Sequence, residues 1–261
     1  MKNPRGLAFL ALGVYAFLHL PVLILMVFSF NESRFTVWTR FSWRWYRELA
    51  HNARIVASLG NSLIVAVVST AIATAIGTLA AYGMGRFRLR SGRALQGVLQ
   101  FSIVTPEIVT GISLLAFFQL AFRFADFGLG LHTIVIAHVA FSVAFVVLVV
   151  QARLAALDPA LEEAAMDLGA GPVTTFFRVT LPLLQPGIVA AALLAFILSF
   201  DDYVITSLVA GVGSETLPMV IYSMARRGVS PVVNALSAIL VLALGGMILA
   251  ADQLQRSEVR Q

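Results

Sequence analysis

Three carboxylates stand where an apolar chain should not put them. Glu107 follows Thr105-Pro106 inside a long apolar run, and Asp201 and Asp202 sit with Tyr203 late in another. An aspartate at mid-bilayer costs about 2.5 to 3.5 kcal/mol on insertion scales, so such a group faces a cavity, water or a partner. On one helix Asp201 and Asp202 would point about 100° apart, and both cannot meet lipid cheaply. Two readings stand. In one, the acids line a route for a cation, and Tyr203 or Phe200 offers it a ring face. In the other, an aspartate pairs with an arginine of a neighbouring helix or subunit, and Glu107 makes a structural hydrogen bond near the external face. No histidine or third acid lies near the two aspartates in sequence, so they specify no metal site.

A second set of residues does mechanical rather than chemical work. Residues 158–187 read DPALEEAAMDLGAGPVTTFFRVTLPLLQPG. Asp158 suits a helix cap and Pro159 the first helical position. Glu162 and Glu163 then fall near the positive end of that helix. Leu157, Leu161, Ala164 and Leu168 recur at helical spacing on one side. Gly169 and Gly171 stop the helix, Pro172 opens a second short one carrying Val173, Phe176 and Phe177, and Pro182 ends it. Pro186 and Gly187 lead into the next apolar run. Two short helices meeting at a Gly-Ala-Gly-Pro corner read either as an interhelical loop or as a docking element for a soluble partner.

Both sets need a membrane scaffold, and the composition supplies one. The 261 residues are 59% hydrophobic and only 12% charged, against about 25% charged in soluble domains. Apolar runs long enough to span fall at about residues 6–30, 59–84, 95–122, 131–150, 188–210 and 232–251. The expectation is an all-α, polytopic fold with six spans in one domain over residues 1–261. The first run is too long for a signal peptide and lacks its small-residue cleavage site, so it reads as a retained span. Pro21 inside it reads as a kink.

Between the first two runs, Trp38, Trp43, Trp45 and Tyr46 suit the headgroup level, and SWRWYRELAHN reads as a short amphipathic helix. The second run is rich in Ala, Gly, Ser and Thr, which let helices approach closely. After it comes RFRLRSGR, with Arg86, Arg88, Arg90 and Arg93 and no acid. That loop reads as cytoplasmic, and counting spans puts both termini there too. The five arginines between the first two spans run against this rule. Arg123 and Asp126 fall in a short external turn. Residues 217–229, with Arg226 and Arg227, read as an amphipathic stretch before the last span. His19 and His138, each alone in an apolar run, read as packed side chains.

Several functions are excluded or set aside. The chain has no cysteine, hence no disulfide and no thiolate metal site. Its only lysine is Lys2, so no phosphate-binding P-loop can form, and the chain cannot itself be a Walker-type ATPase. The net charge of +5 is spread over many loops and calls for no nucleic acid.

Glu163-Ala164-Ala165, then Gly169, Val179, Leu181 and Pro182 at their spacing, resemble the EAA loop of ATP-binding-cassette importer permeases. That family usually has Ile where Val179 stands. The resemblance implies a type I permease fold in which this loop is the coupling helix, seated in a groove of the ATPase. TPEIVTGISLL, SFDDYV and LPMVIYSMARRGVSPVVNALSAI further resemble the spermidine/putrescine permeases.

Together these imply a non-catalytic membrane subunit of a bacterial cytoplasmic-membrane importer. Its implied partners are two copies of an ABC ATPase, which bind the ATP and Mg, a second permease subunit, an external substrate-binding protein and the lipids. No cofactor is expected in this chain. Glu107, Asp201, Asp202 and Tyr203 are the candidate pathway residues, since each ammonium of a polyamine needs an anion or carbonyl when it leaves water. A permease for thiamine, iron or sulfate is an alternative. A gradient-driven carrier is another, although its usual pair of related halves is not evident.

Overall fold

Backbone groups in lipid must find partners within their own segment, and among the described residues the long apolar runs are built of helices. The computed structural model describes residues 4–35, 37–87, 91–122, 128–226, 228 and 231–258. Lys2, Arg88, Arg90, Arg123, Asp126 and Arg227 lie outside the described residues. The helices are α1 Pro4–Phe28, α2 Arg44–His51, α3 Ala53–Arg86, α4 Gly92–Val104, α5 Glu107–Ala121 and α6 Leu131–Ala155. They continue with α7 Ala160–Asp167, α8 Pro172–Thr175, α9 Leu181–Asp201, α10 Val204–Val209, α11 Leu217–Arg226 and α12 Pro231–Glu258. Among the described residues, five helical stretches are long and apolar enough to cross a membrane. A sixth crossing is counted if α4 and α5 form one span.

Two of the expected spans are not straight rods, and in the first of them the break falls at Pro106, a residue that removes a backbone hydrogen bond. The third, 95–122, breaks after Val104, and α4 and α5 meet at 113°. Thr105 precedes a proline, which disfavours the helical region, and it is extended at φ −66°, ψ 130°. Pro106 follows at φ −56°, ψ 136°.

The fifth expected span, 188–210, starts earlier and stops sooner. Pro182 does not end the second short helix. From α8 the chain passes through a π-helical turn, Phe176–Thr180, straight into α9, and Pro182 lies in the first turn of α9. The Leu181 N–H bonds to the Phe176 carbonyl five residues back. The widened turn leaves room for a ring that would crowd an ordinary helix interior. α9 then ends at Asp201. Asp202 is extended at φ −65°, ψ 124°, and α10 begins at Val204. The two aspartates therefore do not share a helix.

Residues fall into two compact units, Met1–Ala57 with Val220–Gln261, and Ser58–Met219. In the first, α12 packs on α1 and on α2. Buried Asn31 orders the connection after α1: its amide donates to the Val37 carbonyl at 2.9 Å and accepts the Thr39 N–H at 3.0 Å. The Trp45 indole N–H donates to the Asn31 carbonyl at 2.6 Å. Glu32 pairs with Arg40, whose guanidinium holds that carboxyl below its usual range.

In the second unit α6 packs along α9 through Val146, Val150, Leu184 and Ala191, with Ala73 and Ala81 of α3 in the same cluster. The small residues of α3 have the expected use. A Cβ on Gly77 would lie 2.5 Å from a Val146 methyl carbon, so only glycine permits this approach. A second cluster, with Val65, Phe118, Ile134, Ala137, Ile205 and Val209, seats α10 against α5 and α6.

Candidate functional site

The two helix breaks open onto one cleft. Glu107, Asp201, Asp202 and Tyr203 all line a cavity of about 310 Å³, with Thr105, Thr110, Phe141 and Phe145 among the rest of its wall. The four candidates come from segments almost a hundred residues apart in sequence, and they meet because both segments lose helix at the same place.

Each break also sets the electrostatics. Glu107 is the first residue of α5, where unpaired N–H groups make a carboxylate favourable. Asp201 is the last residue of α9, where unpaired carbonyls already carry partial negative charge. Its carboxylate adds to that pole, and a cation entering the cleft would find both. Glu107 and Asp201 are exposed, and among the described residues neither carboxylate has a hydrogen-bond or ion-pair partner.

Asp202 is placed otherwise. Its side chain is 5% exposed, and it caps α10. One oxygen accepts the Ile205 N–H at 3.3 Å. The other accepts the Thr206 N–H and the Thr206 hydroxyl, each at 2.7 Å, and lies 3.3 Å from His138 Nε2. Of the two readings, pairing with an arginine does not occur for Asp202 among the described residues; its neighbours are a histidine and a threonine. His138 is the residue that sequence reasoning missed. It is fully buried, and its ring nitrogens lie 2.6 Å from Ser199 Oγ and 2.9 Å from Thr206 Oγ1. Ser199 in turn lies 2.9 Å from Ser69 of α3.

The loop motif forms a built corner. α7 closes on a left-handed Gly169 at φ +90°, with the Ala170 N–H bonded to the Ala165 carbonyl at 3.0 Å and the Gly169 N–H to the Met166 carbonyl at 2.9 Å. That pair of bonds satisfies the last carbonyls of α7. The Asp158 carboxylate accepts the Ala160 N–H at 3.0 Å, and Pro172 opens α8 as expected. Glu163, Ala164, Gly169 and Pro182 are exposed, while Ala165, Val179 and Leu181 are half-buried. Leu161, Leu168, Val173 and Phe177 leave an uncovered apolar face, with Leu168 90% exposed. Glu162, not Glu163, makes the internal ties: Arg86 Nε lies 2.9 Å away, and the Thr180 hydroxyl donates at 2.7 Å.

Known proteins match this chain in sequence and in fold. Residues 73–257 match the family described as the binding-protein-dependent transport system inner membrane component. The chain is 41% identical over 249 residues to the putrescine transport system permease protein PotI of Escherichia coli K12, covering 94% of this chain and 88% of that protein. It is 40% identical to the spermidine/putrescine transport system permease protein PotC of the same strain, covering 95% and 93%. The fold resembles a chain of the bacterial alginate ABC transporter crystallised in complex with an alginate pentasaccharide-bound periplasmic protein. The TM-score is 0.76 at 14% identity, covering 98% of this chain and 95% of that one. With most of its length matched and several membrane-length helices, this multi-pass protein belongs to the binding-protein-dependent transport system inner membrane components.

Proposed function

We propose that residues 1–261 form one permease domain of an ATP-driven importer of polyamines, and that putrescine or spermidine crosses beside the cleft between the two helix breaks. The observation that carries this reading is the pair of unpartnered carboxylates, Glu107 and Asp201, on one cleft. A diamine or triamine carries separated ammonium groups, and each needs an anion or carbonyl on leaving water. Tyr203, on the same wall, adds a ring face. The names of the two polyamine relatives agree with this chemistry. Thiamine, iron or sulfate would make different demands. Sulfate in particular would be repelled by two bare acids.

The chain supplies a path and a lever. In this reading a separate ATPase binds the nucleotide and Mg, two copies of it serve the complex, and the corner at Gly169 is seated on one of them. The uncovered Leu161, Leu168, Val173 and Phe177 support that role, since such a face is otherwise a liability in water. An open apolar groove of about 640 Å³ along α3 and α9, with Ala71, Thr74, Ile188 and Phe196 in its wall, supports a second permease subunit. A substrate-binding protein delivers the polyamine to the outward face. Both termini and the corner lie on the cytoplasmic side of the bacterial inner membrane. Closure of the ATPase moves α7, and the spans rock between outward and inward openings.

Reconstitution tests this. Labelled putrescine should enter proteoliposomes only when the chain is combined with its ATPase, partner permease and binding protein, and only with ATP. Uptake by the chain alone along an ion gradient would refute it. ATP-driven uptake of sulfate or thiamine with no putrescine uptake would replace the substrate.

A further inference from the structure

We propose that His138 is a positioning residue for transport: acting through Asp202, it fixes the break between α9 and α10 and so holds Asp201 and Tyr203 on the cleft wall, leaving Glu107 and Asp201 to meet the cation. This rests on the reading of the cleft as a cation route.

The break has no local cause in the backbone. Residues 199–204 read Ser-Phe-Asp-Asp-Tyr-Val, with neither proline nor glycine. Left to propensity, α9 would run on into α10, and each residue after the join would turn by about 100°. What stops it is the Asp202 side chain, which takes the two backbone N–H groups of Ile205 and Thr206 at the start of α10. A capping carboxylate this buried needs its remaining capacity filled. The Thr206 hydroxyl supplies a further donor, and His138, 3.3 Å from the carboxylate, holds that hydroxyl in place.

The hydrogens can be placed by accounting. Thr206 has one hydroxyl hydrogen, and it goes to Asp202 at 2.7 Å. The 2.9 Å contact between Thr206 Oγ1 and His138 Nε2 therefore takes its hydrogen from Nε2. In the neutral ring Nδ1 is then an acceptor, and the Ser199 hydroxyl fills it at 2.6 Å. Ser199 accepts in turn from Ser69 at 2.9 Å. Every donor points the same way, from α3 through α9 and α6 to Thr206 of α10, and from there to Asp202 in the break. Such one-way chains strengthen each bond in them. Asp202 thus receives three donors inside the protein, whereas Asp201, one residue earlier, has no partner among the described residues. The adjacent aspartates divide the work: one builds the break, the other presents charge.

The test uses the complete transporter in proteoliposomes with labelled putrescine. His138→Leu should lower uptake roughly tenfold, since it strips a donor and an acceptor from buried partners. His138→Gln offers an amide with the same donor–acceptor pair and should restore most of that loss, which mere filling of space would not do. The double variant His138→Leu with Asp202→Asn should fall no lower than the Asp202→Asn variant alone, because both break one chain. Normal uptake by His138→Leu, loss in His138→Gln equal to that in His138→Leu, or losses that multiply in the double variant would each overturn the proposal. If His138→Leu does not co-purify with the ATPase, Thr206→Val replaces it with the same direction of loss expected, and normal uptake there overturns it. A Glu107→Gln, Asp201→Asn variant separates the two layers. If that variant transports normally, the cation route itself fails. If it is dead while His138→Leu is normal, only the positioning role fails.

Discussion

Arg86 Nε and Glu162 Oε2 lie 2.9 Å apart, which joins the last residue of α3 to the first turn of α7. The side chains are 19% and 12% exposed, so the pair is shielded from screening. The second oxygen of Glu162 takes the Thr180 hydroxyl, and the Tyr82 ring of α3 packs tilted against Phe176 of the same π-turn, with centroids 4.6 Å apart. α7 is thereby fastened to both α3 and the turn that feeds α9. α9 runs on from that turn, along an unbroken stretch from Pro172, to Asp201 at its other end.

Breaking this fastening should uncouple the machine. Arg86→Gln or Glu162→Gln should leave the protein in the membrane and ATP hydrolysis running, with uptake per ATP lowered. Loss of about 1 kcal/mol of linkage corresponds to roughly a fivefold change in the coupled equilibrium. The exchange Arg86→Glu with Glu162→Arg should recover part of it. Uptake and hydrolysis measured side by side in proteoliposomes decide the matter, and an unchanged ratio in both single variants would remove the fastening.

The corner itself gives a second expectation. Gly169 sits at φ +90°, where an L-residue costs about 1 to 2 kcal/mol. Gly169→Val should misplace the end of α7, and Leu168→Asp should put a charge on the uncovered face. Both should weaken ATPase co-purification and uptake without lowering the amount of chain in the membrane. Glu163→Lys should do the same. Wild-type binding in all three would take the docking role away from this surface.

Much of this architecture was legible in the chain. Hydropathy marked the apolar runs that are helical here, Asp158, Gly169 and Pro172 announced the ends of the short helices, and Glu107 and Asp201 stood out by cost alone. The rest was hidden for physical reasons. Pro182 carries a strong stop signal, but a π-turn five residues long made room for it. His138 looked like filling because its partners Ser199 and Thr206 lie 61 and 68 residues away, and no periodicity links them. One clue is present in the chain: an aspartate shortly before an apolar stretch, as Asp202 stands before Val204 and Ile205, is a helix-start signal as well as a charge.

Pro106 offers a third check. The 113° bend between α4 and α5 puts Glu107 at a helix start. Pro106→Ala restores a backbone N–H and frees Thr105 to become helical. Uptake should fall severalfold, as expected when the Glu107 carboxylate leaves the cleft. A cysteine pair at positions 107 and 201 should cross-link less readily after the same change. Unaltered uptake and cross-linking would mean that the bend is held by packing rather than by the proline.

The most direct measurement is ATP-driven putrescine uptake by the assembled transporter carrying Glu107→Gln and Asp201→Asn together. With both carboxylates neutral, uptake should fall at least tenfold, or about 1.4 kcal/mol of lost stabilisation of the bound cation, while the complex still assembles. Uptake with the maximal rate and half-saturating concentration of the unaltered protein would contradict a cation route through this cleft.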